Sequence, residues 1–200
     1  MRINTNVGAI NASRNIFVNN MAVENSMRKL SSGLKISRAA DDAAGLSIAN
    51  KLRTQSRSLT QAASNAEQGN AMLQIAEGAA QTIQRIIERQ KELITQRDST
   101  GNNSTVSGTL GTEIATLQTE SARILADADF QGASVFASLT FQVSDQTSNG
   151  QVTVNAALTL TSLTATSTLA NADTALDAVN SALANIGAGQ NVLDLSLIHI

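Results

Sequence analysis

The chain of 200 residues contains no cysteine, no proline, no tryptophan and no tyrosine, and only four phenylalanines and one histidine. Each absence removes a class of explanation. Without cysteine there is no disulfide framework and no thiolate chemistry. Without proline, where average usage would supply roughly ten, nothing in the composition forces a long helix to break. Aromatics make up 2 % of a chain that is 42 % apolar, much of it alanine. Buried area must then come from many small contacts rather than from a few large rings. A single histidine, His199, close to the end, leaves no His-based catalysis or His-rich metal site, and the usual zinc ligand sets are excluded. No segment approaches transmembrane length, and MRINTNVGAIN at the start has no apolar run of the secretory type. Export, if it occurs, is expected to follow another route.

Charge is small in total and uneven in distribution. Residues 1–57 hold nine Lys/Arg against three Asp/Glu, residues 58–149 five against ten, and residues 150–200 none against three. The basic arm lacks interleaved aromatics and dense Lys/Arg runs, so nucleic acid is not the expected partner. Complementary charge between helices or subunits accounts for it better. No membrane insertion is expected either.

Hydrophobic spacing is the strongest signal present. Ile3, Val7, Ile10, Phe17 and Met21, followed by Val23, Met27, Leu30 and Leu34, step by threes and fours and predict a helix over 3–34. Its seam shifts between Met21 and Val23, as at a coiled-coil discontinuity. Gly33 and Gly45 bracket a less helical stretch. From there Leu52, Leu59, Ala66, Leu73, Ala80, Ile87 and Ile94 recur every seven residues, accompanied by the smaller Ile48, Gln55, Ala62, Gly69, Ala76, Ile83 and Gln90. A seam so sustained predicts a coiled-coil-like rod from Asp42 to Arg97, roughly 80 Å long. RDSTGNNSTVSG (97–108) reads as a polar turn. Leu110, Ile114, Leu117, Ser121, Ile124 and Ala128 then mark a helix folding back antiparallel. After Phe130-Gln131-Gly132 the pattern turns β-rich, with Ser148-Asn149-Gly150 as a hairpin turn. Helical spacing returns at Leu169, Ala172, Leu176, Val179, Leu183, Ile186, Gln190 and Leu193. The expected fold is mainly α: an elongated antiparallel helical bundle or coiled-coil rod with a small β-hairpin region.

Asp41 and Asp42 are the only adjacent carboxylates, and an acid–base pair is one reading of them. On a helix, neighbours diverge by about 100° and do not converge on one substrate. Negative charge ahead of a helix suits its unpaired N–H groups, so helix capping is the expected role of both. IGAGQN (186–191) only partly resembles a phosphate loop and no P-loop lysine follows. Nothing supports an enzyme, and no cofactor is implied.

Several segments resemble one family closely: RINTNVGAIN (2–11), LSSGLKIS (30–37), DDAAGLSIANKLR (41–53), SLTQAASNAEQG (58–69), AEGA (76–79), ADADFQG (126–132), TFQVS (140–144) and IGAGQNVLD (186–194). The chain resembles a bacterial flagellin, the subunit of the flagellar filament, over nearly its whole length. The resemblance implies a structural, extracellular protein that self-assembles for motility. Residues 1–40 would be the N-terminal filament-core helix, with Ile3, Val7, Ile10, Phe17, Met21 and Leu30 as assembly residues. Residues 41–194 would be the rod domain, with a hairpin around 133–160 and the start of a returning C-terminal helix. Variable outer domains would be absent.

The implied partners are other flagellin subunits, the filament cap and hook-associated proteins, the flagellar type III export apparatus and the Toll-like flagellin receptor. For the last, the motif aligns Arg89, Leu93 and Glu113 with the family's contact residues, although Leu93 also lies beside the rod seam and the two charges could be ordinary solvated ones. Gln90 and Arg97-Asp98 depart from the family pattern there. The related hook–filament junction proteins usually carry Asp-Asp-Pro where this chain has Asp42-Ala43-Ala44, which favours the filament subunit. A soluble receptor-binding fragment or adhesin is the other alternative. Flagellins continue past the Gln190–Leu193 motif, whereas Leu195–Ile200 (LSLIHI) matches the in-frame translation of a sequencing adapter. These six residues are therefore expected to be a non-native tail, with the packing partner of the first helix and the site for an export chaperone missing.

Overall fold

A computed structural model of the chain describes residues 6–146 and 150–200. Four helices and four short strands follow in order: α1 (Val7–Ser32), α2 (Ala43–Arg97), α3 (Ser104–Asp127), β1 (Asp129–Phe130), β2 (Ala133–Ser134), β3 (Ser138–Gln142), β4 (Gln151–Asn155) and α4 (Leu169–His199). The chain divides into two compact units, Met1–Ser56 and Arg57–Ile200, with α2 contributing to both.

In the first unit, α1 starts where Asn6 caps it, its side-chain oxygen accepting from the Ala9 N–H at 3.1 Å. It stops at Gly33, whose φ of 66° only glycine adopts freely and whose N–H returns to the Leu30 carbonyl. The expected start at Ile3 lies outside the described residues. A short irregular segment leads to α2.

The second unit is an antiparallel bundle. Its α2 seam buries Ala62, Ala66, Gly69, Leu73, Ala76, Ala80, Ile83, Ile87, Gln90 and Ile94. These are consecutive positions of one heptad pattern, four and three apart. In α4 the matching seam is Ala172, Ala175, Val179, Ala182, Ile186, Gly189 and Leu193. Lys91 pairs with Asp173, Gln190 donates to Glu77 and Asn70 donates to Asp194, so α4 runs opposite to α2. Helix α3 also folds back on α2, with Arg89 meeting Glu113 and Gln90 meeting the Ile114 carbonyl. It begins inside the polar segment expected to be turn, because Asn103 accepts from the Val106 N–H at 2.9 Å and starts the helix there.

The buried seam starts at Ala62; Ile48 and Leu52, counted into it from spacing, are exposed. Periodicity tells which side of a helix is apolar and does not supply the partner. At the other end, α4 continues through Leu195–His199 as regular helix, with Leu197 and Ile200 packed against the core.

Two hairpins connect α3 to α4 in the chain, and the second packs against α2 and α4. β1 and β2 pair across a two-residue loop in which Gln131 and Gly132 have φ of 54° and 81°, the double left-handed geometry of a type I′ turn. β3 and β4 pair in the register Ser138↔Asn155 through Gln142↔Gln151. Of the turn expected at Ser148-Asn149-Gly150, the first two residues lie outside the described ones. Along the ladder Leu139, Phe141, Val152 and Val154 turn toward the core, while the hydroxyls of Thr140 and Thr153 face each other at 3.4 Å on the other side.

Glycines seat this hairpin. A Cβ on Gly69 of α2 would stand 2.9 Å from Phe141 Cδ1, and one on Gly189 of α4 would stand 2.5 Å from Val154 Cγ2. Glycine at these heptad positions lets strands lie directly against helix backbone. Gly78, by contrast, has open space around its Cβ position. Gly189→Val should therefore lower stability by about 2 kcal/mol or more through overpacking, while Gly78→Ala should raise it by about 0.5–1 kcal/mol through helix propensity. Thermal unfolding of both variants beside the parent chain checks the contrast.

Candidate functional site

The feature of α1 that sets it apart is its surface. None of its 26 residues is buried. Its large side chains are open to solvent, Phe17 at 66 % and Leu30 at 79 %. With about 100° per residue, Val7, Ile10, Phe17, Val18 and Met21 gather on one side of the helix, and Ile16, Val23, Met27 and Leu30 on nearly the opposite side. The shift of seam near Met21 thus marks a change of face. A helix apolar on two opposed sides is suited to burial among several neighbours. Of the assembly residues expected from the sequence, Val7, Ile10, Phe17 and Met21 share the first face and Leu30 lies on the second; Ile3 is outside the described residues.

The adjacent carboxylates divide between two tasks. Asp42 Oδ1 accepts from the Gly45 N–H at 2.9 Å and its carbonyl accepts from Leu46, which makes it the N-cap of α2. Asp41 turns the other way and accepts from the N–H groups of Ser37 and Arg38, each at 3.2 Å, and from the Ser37 hydroxyl at 3.3 Å. Lys29 Nζ stands 3.9 Å off. The backbone hydrogen bond from Ser37, chief among these favourable contacts, lowers the Asp41 pKa. Asp41 therefore ties together the segment between α1 and α2. Among the described residues no group of three His, Cys, Asp or Glu side chains could hold a metal ion.

Of the three residues aligned with a receptor contact, two meet on the surface and one does not reach it. Arg89 bridges Glu92 at 3.0 Å and Glu113 at 3.2 Å, linking α2 to α3. These bonds, Glu92 first and Glu113 second, raise the Arg89 pKa. Leu93 is 1 % exposed and belongs to the core between α2, α3 and α4. Beside them Gln90 is fully buried, donating from Nε2 to the Ile114 carbonyl at 3.0 Å.

Sequence reasoning missed Arg97. Its side chain is 12 % exposed and donates to the carbonyls of Ala165 and Ser167, the latter at 2.6 Å, and to Asp98 at 2.9 Å. It fastens the loop before α4 to the end of α2. No local signal announces a clamp whose partners lie about seventy positions away; only the fold brings them together.

The profile described as the bacterial flagellin N-terminal helical region matches residues 3–140. The flagellin of Bacillus subtilis is 41 % identical over 134 residues, which is 66 % of this chain and 44 % of that protein. The flagellin of Halalkalibacterium halodurans is 34 % identical, covering 96 % of this chain and 75 % of that protein. The flagellar filament 33 kDa core protein of Treponema phagedenis is 36 % identical, covering 78 % and 53 % respectively. This chain thus spans about half or less of two of these three relatives. In fold it is similar to the crystal structure of Bacillus cereus flagellin, with a TM-score of 0.52 and 23 % identity over 69 % of this chain and 89 % of that one.

Two outcomes follow from these contacts. Removing the Arg97 clamp with Arg97→Ala should cost about 2 kcal/mol and increase amide exchange across residues 163–168. Because the Asp41 pKa is lowered from 3.8, its contribution is present above the ordinary aspartate range and is lost as pH falls through the lowered value. Asp41→Asn at neutral pH should reproduce the acid effect, with faster amide exchange at Ser37 and Arg38 and no change in the Arg57–Ile200 unit.

Proposed function

Since the chain belongs to the bacterial flagellin family, we propose that it is a structural subunit of the flagellar filament, assembling with copies of itself outside the cell and serving motility without catalysing a reaction. The observation that carries this is α1: about 39 Å of helix with two opposed apolar faces and no buried residue. Apolar surface on that scale requires a partner, and identical neighbours in a helical lattice can cover both faces at once. On this reading residues 1–40 form the filament-core segment and residues 41–194 the surrounding rod.

The same reading brings the filament cap, the hook-associated proteins and the flagellar type III export apparatus as further partners. It also brings recognition by the Toll-like flagellin receptor, through the exposed Arg89–Glu113 pair, with Leu93 supporting that surface from the core instead of touching the receptor.

Seeded growth tests the assembly reading. Labelled chain is added to filament fragments sheared from Halalkalibacterium halodurans, and growth is followed by electron microscopy. The chain should extend the seeds. A Phe17→Asp, Met21→Asp variant should not, while the Arg57–Ile200 unit keeps its unfolding temperature. A parent chain that stays monomeric on seeds at every concentration, or a variant that extends them equally well, would sink the proposal.

A further inference from the structure

Charge is divided between the two units in opposite senses. Residues 1–56 carry eight Lys/Arg against three Asp/Glu, and residues 57–200 carry six against thirteen. Inside the first unit, Lys29–Asp41 is the single ion pair among the described residues, and the cationic side chains of Arg14, Lys35, Arg38, Lys51 and Arg53 meet no carboxylate there. Two of these cations border an open groove of about 460 Å³ in that unit. Leu34, Ile36, Leu46 and Ala49 supply its apolar lining, and Lys35 and Arg53 its charge.

In the second unit, part of the acidic excess lies along the α2–α4 seam. Glu77 accepts from Gln190 at 3.1 Å and Asp194 accepts from Asn70 at 3.0 Å. Glu67 lies one helical turn before Asn70 on α2. Amides, not cations, meet two of these carboxylates, and none of the three has a basic partner among the described residues. The Asp41 tether reaches the groove wall directly, since Ser37 is both a groove residue and an Asp41 donor.

We propose that the Lys35–Arg53 groove of one copy docks the acidic α2–α4 seam of a second copy, around Glu67, Glu77 and Asp194. This inference rests on the self-assembly reading and specifies one of its contacts. The two surfaces are different patches of the same chain, so the contact is heterologous, and repetition propagates head to tail instead of closing a symmetric dimer. Opposite charge sets the register and speeds encounter, and the apolar lining of the groove supplies the area.

Charge reversal on exposed residues tests the contact. Three chains are compared in seeded growth: the parent, a groove variant (Lys35→Glu, Arg53→Glu) and a seam variant (Glu67→Lys, Asp194→Lys). Circular dichroism establishes that all three are folded. Each variant alone should need about tenfold more protein than the parent to extend seeds. An equimolar mixture of the two should recover growth, because each junction again joins opposite charges. Variants that extend seeds like the parent, or a mixture that recovers nothing, overturn the docking proposal while the parent's own growth leaves the filament reading standing. If the parent fails to extend seeds, both fall together.

Discussion

Close approach is the constraint on which the second unit depends. A chain with no tryptophan or tyrosine and only four phenylalanines has few rings with which to fill wide gaps between helices. Its elements must come near enough for alanine, valine and isoleucine to fill the space. Small residues on one helix answer large ones on the other: Ala172, Ala175 and Ala182 of α4 share a core with Ile83, Ile87, Leu93 and Ile94 of α2, and Ala66 and Ala76 of α2 share one with Ile186 and Leu193 of α4. Where the chain has to admit a strand, the heptad position becomes glycine, at Gly69 and Gly189. Larger side chains return toward the α3 end, where Ile83, Ile87, Leu93 and Ile94 meet Ile114, Leu158 and Leu163. One seven-residue rhythm thus serves two kinds of packing, with side-chain size selecting which.

The first unit obeys a different rule. Its segment between α1 and α2 is fixed by polar contacts: an Asp41 carboxylate collecting backbone N–H groups, an Asp42 cap and a left-handed Gly33. Its helix keeps its apolar side chains outside. On the assembly reading proposed above, stability and association would rest on different residues, since none of the α1 side chains is buried. Arg97 and Gln90 stand on the other side of that division. Both place polar groups in buried or nearly buried positions, satisfied in part by backbone carbonyls from distant segments, and both act on the internal arrangement of the bundle.

Much of this organisation was legible in the residues. Spacing located all four helices, because a buried stripe must repeat with the helical period, and the absence of proline allowed α2 to run for 55 residues. The Gln131-Gly132 turn was visible only as a change of texture, since strands of two residues are too short to show alternation. The start of α3 was misplaced because a cap such as Asn103 acts through one hydrogen bond inside an otherwise turn-like composition. Leu93 shows the reverse difficulty: its position in a motif suggested a surface contact, and a position beside a seam is sealed or open according to how far the neighbouring helices reach.

By itself the sequence determined the helical character, the small-residue seams, the division of charge and the family to which the chain belongs, since composition, period and motif are local properties of the string. Tertiary structure alone decided which stretch of the α2 seam is covered, that glycines 69 and 189 seat a hairpin, that Asp41 and Asp42 point to different tasks, and that Arg97 holds a loop nearly seventy residues away. Those outcomes depend on which distant backbone arrives at a given face and at what separation, and contact of that kind is a property of the folded chain in space.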